Sequence, residues 1–265
     1  MCSLRRTYKT VFLILLGLAG FIAGILISMT TGGGKGVRVR VRCMSLWMRC
    51  ACVILGIRIR KEELWDIPRG SFIVADHCSY LDILILGSLT PAVFVAKKEV
   101  ASWPFIGSLV RSAGTVFVDR ASRLSMPLTI REIENRLSSG VSVIVFPEGT
   151  TGNGAEVLEF KSSFFTVPVD KNCVLLPVSI VYLHVNGEIL DAQSRDAVAW
   201  YGGMSFFPHL WNVLGMRRIE VTVRGNPAVR DIITLDASLA RKQLAAYARR
   251  SVKAGFDALS TSSTP

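Results

Sequence analysis

Two residues five positions apart, His77 and Asp82, are by type the pair in this 265-residue chain best suited to moving a proton. Imidazole titrates near neutrality, and a carboxylate on one ring nitrogen fixes the tautomer and supports the imidazolium. The other nitrogen is then free to take a proton from an attacking hydroxyl, a role worth ~10²–10⁴-fold in rate. The spacing sets a condition. Within one regular helix, five positions are about 140° apart around the axis, so the two side chains would not meet. They meet if His77 lies in the turn before a helix and Asp82 in its first turn. A helix capped near His77, with Asp82 on a solvated face, is the competing reading. The chain has two other histidines, His184 and His209.

The neighbouring nucleophile types are weaker candidates. Ser79 lacks the Gly-x-Ser-x-Gly elbow of the α/β hydrolases and suits a helix cap. Cys78 would need an activating environment that spacing alone does not supply. A second polar cluster is Phe146-Pro147-Glu148-Gly149-Thr150-Thr151-Gly152. There Gly149 and Gly152 allow close backbone approach. Glu148 could hold an acceptor hydroxyl and Thr150 could donate, although a turn with a solvated Glu explains the same residues. Lys97 and Arg120 could neutralise an anionic head group.

These residues need a scaffold that gathers them, and the hydropathy pattern supplies one. Short β-type runs at 72–75, 92–95, 115–118, 142–146 and 174–181 alternate with helical patterns at 82–89, 103–112 and 128–137, and near Lys161. Residues 219–223 alternate as a half-exposed strand, and 237–259 form a polar terminal helix. Alternating strands and helices predict an α/β fold: a largely parallel central sheet flanked by helices. In such sheets ligands bind beyond the carboxyl ends of the strands. Asp76-His77, Asp119-Arg120 and Pro147-Glu148-Gly149-Thr150 each follow a strand, and this convergence argues for a site more strongly than any one cluster.

Charge divides the chain in two. Residues 1–61 hold eleven Lys and Arg and no acid; the remainder holds twenty of each sign, so the net charge of +11 belongs to the N-terminal segment. Nucleic-acid binders more often carry their cations on the folded domain, and no nucleic-acid partner is expected. Val11 to Met29 is an uncharged run of 19 residues. As a helix it would be about 28 Å long, close to the hydrocarbon thickness of a bilayer. No small-x-small cleavage site follows it, which favours an anchor over a signal peptide. The larger count of cations after the run predicts a catalytic domain on the cytoplasmic face of the inner or plasma membrane. A second apolar stretch, Cys43 to Ile57, is broken by Arg49. It reads as an interfacial amphipathic helix, the return arm of a re-entrant hairpin, or an ordinary core helix. The expected organisation is a membrane-embedded helical element at 1–61, a domain at 62–259 with its motif-bearing core at 72–182, and a disordered tail at 260–265. The six cysteines form no CxxC pair and suggest neither a zinc site nor a disulfide framework.

His77-x4-Asp82, Gly114-Thr115-Val116-Phe117-Val118-Asp119-Arg120, Phe146-Pro147-Glu148-Gly149-Thr150 and Leu176-Pro177-Val178-Ser179 together resemble the four ordered blocks of the glycerolipid acyltransferases. The likeness is to the bacterial 1-acylglycerol-3-phosphate and lyso-ornithine-lipid acyltransferases, and it spans Phe72 to Tyr182. It implies that His77, oriented by Asp82, deprotonates the hydroxyl of a lysolipid for attack on an acyl-CoA or acyl carrier protein thioester. It implies that Arg120, Glu148, Gly149 and Thr150 hold the acceptor, with no metal and no cofactor beyond the acyl donor. The expected acceptor is lysophosphatidic acid, and another lysolipid such as lyso-ornithine lipid is the alternative. Two further readings are a non-catalytic membrane lipid-binding protein and a hydrolase in which water replaces the lipid hydroxyl. Two departures stand out: Asp76 where Asn is frequent, and Thr151 where phosphate-recognising members carry Arg, a loss that Lys97, Arg120 or Lys161 would have to offset. The aromatic segments at 200–203 and 207–211 resemble the lyso-ornithine-lipid branch, where they would line a lipid portal or cap the core.

Overall fold

The computed structural model describes residues 2–30, 33–63, 67–103, 106–119, 125–230 and 237–261. Its centre is an eight-stranded sheet: β1 (Ile57–Glu62), β2 (Phe72–Ala75), β3 (Ala92–Lys97), β4 (Val116–Val118), β5 (Ser142–Val145), β6 (Leu175–Val185), β7 (Glu188–Ile189) and β8 (Ile219–Gly225). The order is β1-β8-β6-β2-β5-β3-β4, with β7 pairing β6. From β6 to β4 the strands are parallel; β8 runs antiparallel to β6, and β1 is parallel to β8. The central strands β2 and β5 are buried along their whole length, as the runs Phe-Ile-Val-Ala and Ser-Val-Ile-Val require of strands covered on both faces. Their register aligns Phe72 with Val143 on one side and with Leu175 on the other.

Strand alternation assigns each side chain to one of two layers. Ile73, Ala75, Ile144, Val178 and Ile180 face α2 (Gly33–Leu55), α3 (Leu81–Leu89) and α7 (Phe206–Gly215). Phe72, Val74, Val143 and Val145 face α5 (Ser125–Ser138), α6 (Thr166–Lys171) and α8 (Ala237–Thr261). Gly87 of α3 lies against Met48 of α2 with no room for a Cβ, so glycine permits that close crossing. The remaining helices are α1 (Cys2–Thr30) and the short α4 (Ile106–Ser112).

The N-terminal segment differs from expectation at its inner boundary. The expected break at 61/62 falls inside β1, whose six residues pair with β8 throughout. The signal was present, since Ile57 and Ile59 alternate with Arg58, Arg60 and Lys61, but the basic side chains fit a membrane surface equally well. The α2 helix is also part of the core: Met44, Met48, Cys52 and Leu55 are buried against the sheet layer, while Leu46 and Val53 are exposed. Helix α1 is long and apolar enough to cross a membrane by length and composition. It packs antiparallel along α2. The Lys9 ammonium is buried and donates to the carbonyls of Leu55 (2.6 Å) and Met216 (2.8 Å), and Trp47 Nε1 donates to Leu16 O (2.9 Å). Its other side exposes Leu4, Tyr8, Val11, Leu15, Leu18, Ile22, Ile25 and Met29, an apolar stripe at helical spacing.

Two smaller expectations also change. The helix predicted over 103–112 is α4 at Ile106–Ser112, preceded by a 3₁₀ turn at Lys98–Ser102, and the one near Lys161 is divided into a 3₁₀ turn at Ser162–Phe165 and α6. The terminal helix continues two residues into the expected tail, because Ser260 and Thr261 return their hydroxyls to the carbonyls of Phe256, Asp257 and Ala258.

Candidate active site

The first buried strand, β2, ends at Ala75, and the chain turns through Asp76-His77-Cys78-Ser79-Tyr80 before α3 begins at Leu81. His77 is thus in the turn and Asp82 in the first turn of the helix, the one arrangement in which this spacing lets them meet. His77 Nδ1 is 2.9 Å from Asp82 Oδ2. The same oxygen accepts from the backbone N–H of Cys78 (2.9 Å) and of Ser79 (2.8 Å). Asp82 Oδ1 accepts from the Tyr182 hydroxyl at 2.6 Å. Asp82 is fully buried, and a buried carboxylate is tolerated only when its acceptor sites are filled; here four donors fill them. Because a carboxylate only accepts, Nδ1 is assigned the imidazole proton, and Nε2 then has a lone pair that can accept another. The ring is stacked on Phe146 at 3.9 Å between centroids, which holds its plane.

The loop after β5 closes the site. Gly149 adopts φ +72°, a conformation glycine takes without strain, and its N–H donates to Phe146 O (3.1 Å). Glu148 is buried. Leu158 N–H donates to its Oε1 (3.2 Å), and the His77 backbone N–H is a second donor to it. Burial nevertheless pushes its pKa up to about 8, with the Asp82 charge adding to the effect. Gly152 N–H donates to His77 O (2.8 Å), so this loop and the His77 turn are tied together. The Leu158 segment is itself held from α8, where Arg249 donates to the carbonyls of Leu158 (3.0 Å) and Val157 (3.1 Å).

Asp76, fully buried behind His77, accepts from Ile180 N–H (2.9 Å). Burial raises its pKa well above the carboxylate range, and the Asp82 and Glu148 charges add to this.

Of the sequence-predicted residues, His77, Asp82, Glu148 and Gly149 are brought together and buried or nearly so. Thr150 is exposed at the loop's outer edge. Lys97 is exposed at the carboxyl end of β3, and Lys161 is exposed with its backbone N–H on Pro147 O (2.9 Å). Arg120 lies outside the described residues. Sequence reasoning missed Tyr182. The available signal was parity: Val178, Ile180 and Tyr182 share one face of β6, and that is the α3 face. It also missed Arg195. Together with Cys78, Gly154, Tyr182, Asp191 and Asp257, Arg195 lines a cavity of about 510 Å³ at the top of β6. The aromatic segments in part cap the core, as one of the two readings has it. Tyr80, Trp200 and Phe206 pack together, and the Tyr80 hydroxyl meets His209 Nδ1 at 3.0 Å, while Phe207 and Trp211 remain exposed.

Comparison with known proteins matches residues 57–181 to the family described as Acyltransferase. The chain is 37% identical to a lyso-ornithine lipid O-acyltransferase of Rhizobium meliloti over 69% of this chain and 65% of that one. It is 32% identical to the lyso-ornithine lipid O-acyltransferase of Brucella abortus over 80% and 81%. It is also 32% identical to a 1-acyl-sn-glycerol-3-phosphate acyltransferase of Neisseria gonorrhoeae over 59% of each. The crystal structure of the 1-acyl-sn-glycerophosphate acyltransferase of Thermotoga maritima has the same fold, with a TM-score of 0.69 over 98% of both chains at 23% identity.

Proposed function

The chain belongs to the acyltransferase family, and from that premise we propose that it transfers a fatty acyl group from acyl-CoA or acyl carrier protein to the free hydroxyl of lysophosphatidic acid, making phosphatidic acid. The observation that carries the reading is the His77–Asp82 contact, with Nδ1 committed to the carboxylate and Nε2 free. In the proposed step, Nε2 takes the proton of the acceptor hydroxyl as its oxygen bonds to the thioester carbonyl carbon. The tetrahedral oxyanion collapses, the carbon–sulfur bond breaks, and the departing thiolate takes the proton back from His77. No acyl-enzyme forms. Glu148, Gly149 and Thr150 shape the acceptor side, and Lys97, Arg120 and Lys161 are the cations available to a phosphate.

A second acceptor, a lyso-ornithine lipid, is favoured by two observations. Thr151 offers no charge where a phosphate ligand would help. The cavity beside Cys78 mixes Arg195 with Asp191 and Asp257, a complement to a head group bearing both carboxylate and ammonium. The exposed stripe of α1 supports association with the bilayer through that helix, and the larger count of cations after the apolar run supports a catalytic domain on the cytoplasmic face.

One assay tests the whole reading. Purified protein is given acyl-CoA or acyl carrier protein donors and a panel of lysolipids. Transfer to lysophosphatidic acid that is lost in His77→Ala is the expected result. Full activity in His77→Ala would overturn the mechanism. Preference for lyso-ornithine lipid, abolished by Arg195→Gln while lysophosphatidic acid turnover persists, would select the second acceptor.

A further inference from the structure

At the other end of the sheet from His77 lies a cleft of about 380 Å³ that none of this chemistry uses. Its walls come from α1 (Phe21, Ile25), α2 (Arg40), α4 (Arg111) and α5 (Arg136). It is at the foot of the parallel strands: Gly114, which also lines it, precedes β4, and Arg136 is in the last turn of the helix leading to β5. Catalysis occurs at the opposite, carboxyl, ends.

The charge of this cleft is one-sided. Three guanidinium groups line it, and among the described residues no Asp or Glu does. Arg136 Nη2 pairs with Glu132 (2.9 Å), and Arg111 donates to the carbonyl of Ala101. Counting Glu132, the cleft still carries a surplus of two positive charges. Arg136 Nε is buried and has no hydrogen-bond partner among the described residues. Guanidinium clusters of this kind match a phosphate, which can accept from several forks at once.

The wall contributed by α1 identifies the source of that phosphate. Phe21 and Ile25 are exposed and belong to the apolar side of the helix. A soluble phosphate compound gains nothing from such a wall. A phospholipid places its tails along it and its head group among the arginines.

We propose that this cleft is a docking site for the head group of an anionic phospholipid, separate from the acceptor site and independent of which lysolipid the enzyme acylates. Occupied, it fixes the α1–α2 pair against α4 and α5 and seats the molecule on an anionic bilayer.

The test uses full-length protein in neutral detergent, titrated with monomeric short-chain phosphatidylglycerol. Expected is saturable binding of one lipid per chain. It should weaken on the order of tenfold in Arg40→Gln/Arg111→Gln/Arg136→Gln, weaken less in the corresponding triple Lys variant, which keeps the charge without the fork, and survive in Lys242→Gln/Arg250→Gln/Arg230→Gln, which removes three charges elsewhere. Arg40→Gln alone repeats the measurement with the Glu132 and Ala101 contacts intact. Equal weakening in the distant triple would reduce the effect to net charge and overturn the site. Inorganic phosphate or coenzyme A competing as well as the lipid would overturn the lipid assignment. Loss of acyl transfer in neutral detergent by the Gln triple would do so too, because the cleft would then serve the acyl donor.

Discussion

At the scale of the residue, the site is a carboxylate with more donors than a proton relay needs. Asp82 holds His77, but it is itself held by two backbone N–H groups and by Tyr182. Hydrogen bonds to a charged acceptor are worth ~1.5–3 kcal/mol, so Tyr182→Phe should slow transfer by roughly ten- to a hundredfold. The loss should fall on kcat, with the melting temperature of the variant staying close to that of the wild type, which separates lost positioning of the Asp82–His77 pair from a damaged fold. His77→Ala should cost ~10²–10⁴-fold in kcat. Glu148 makes a separate prediction for stability. Its folded pKa of about 8 lies above the ordinary glutamate value of 4.5, so between these limits the folded state binds more protons than the unfolded one. Stability from this group is therefore fully present below pH 4.5 and is lost as pH rises through 8. Chemical denaturation across that range should show the decline in the wild type and a shallower one in Glu148→Gln, which keeps the shape without the ionisation. The sequence made His77, Asp82 and Glu148 legible because their types are rare and their spacing is local. Tyr182 comes to Asp82 from a hundred positions away, and nothing local to either residue announces the contact.

At the scale of the element, the site depends on a helix that contributes no side chain to the His77–Asp82 pair. Arg249 of α8 holds the carbonyls of Val157 and Leu158, Leu158 N–H holds Glu148, and the Glu148 loop is tied to the His77 turn through Gly152. Arg249 also pairs with Glu159, which is largely exposed, so that ion pair contributes little. Arg249→Ala should therefore act through the two carbonyl contacts. The expected outcome is a several-fold rise in KM for the lysolipid with a smaller change in kcat, and faster hydrogen exchange at Leu158 and Gly152 while β2 and β5 stay protected. The strands themselves were readable because each buried one is a short unbroken apolar run. Elements whose residues suit two environments were harder. The alternating Ile and Arg of β1 and the mixed stretch that became α2 are compatible with a membrane surface, and only their partners β8 and α3 decide the matter.

At the scale of the whole molecule, the structure changes what an anchor means. A helix that only tethers a domain can be deleted and leave the domain folded. Here α1 is joined to the domain at several points: Arg5 Nη1 on Gly215 O (2.9 Å), Lys9 on two carbonyls, and Trp47 on Leu16 O. The two carbonyls that Lys9 satisfies end α2 and follow α7, and each would otherwise be a buried acceptor with a desolvation cost of ~1–3 kcal/mol. The antiparallel packing of α1 on α2 could not be read from hydropathy, which reports that a run is apolar and not which side of it meets protein. Deletion of residues 1–30 should therefore do more than release the chain from membranes. The truncated protein should melt several degrees lower in detergent than the full chain. Lys9→Ala in the full chain should reproduce part of that loss while leaving membrane association unchanged, because Lys9 faces the domain and the exposed stripe of α1 is untouched. If the truncated domain melted at the wild-type temperature, α1 would be a tether only, and the buried Lys9 contacts would contribute nothing to the fold.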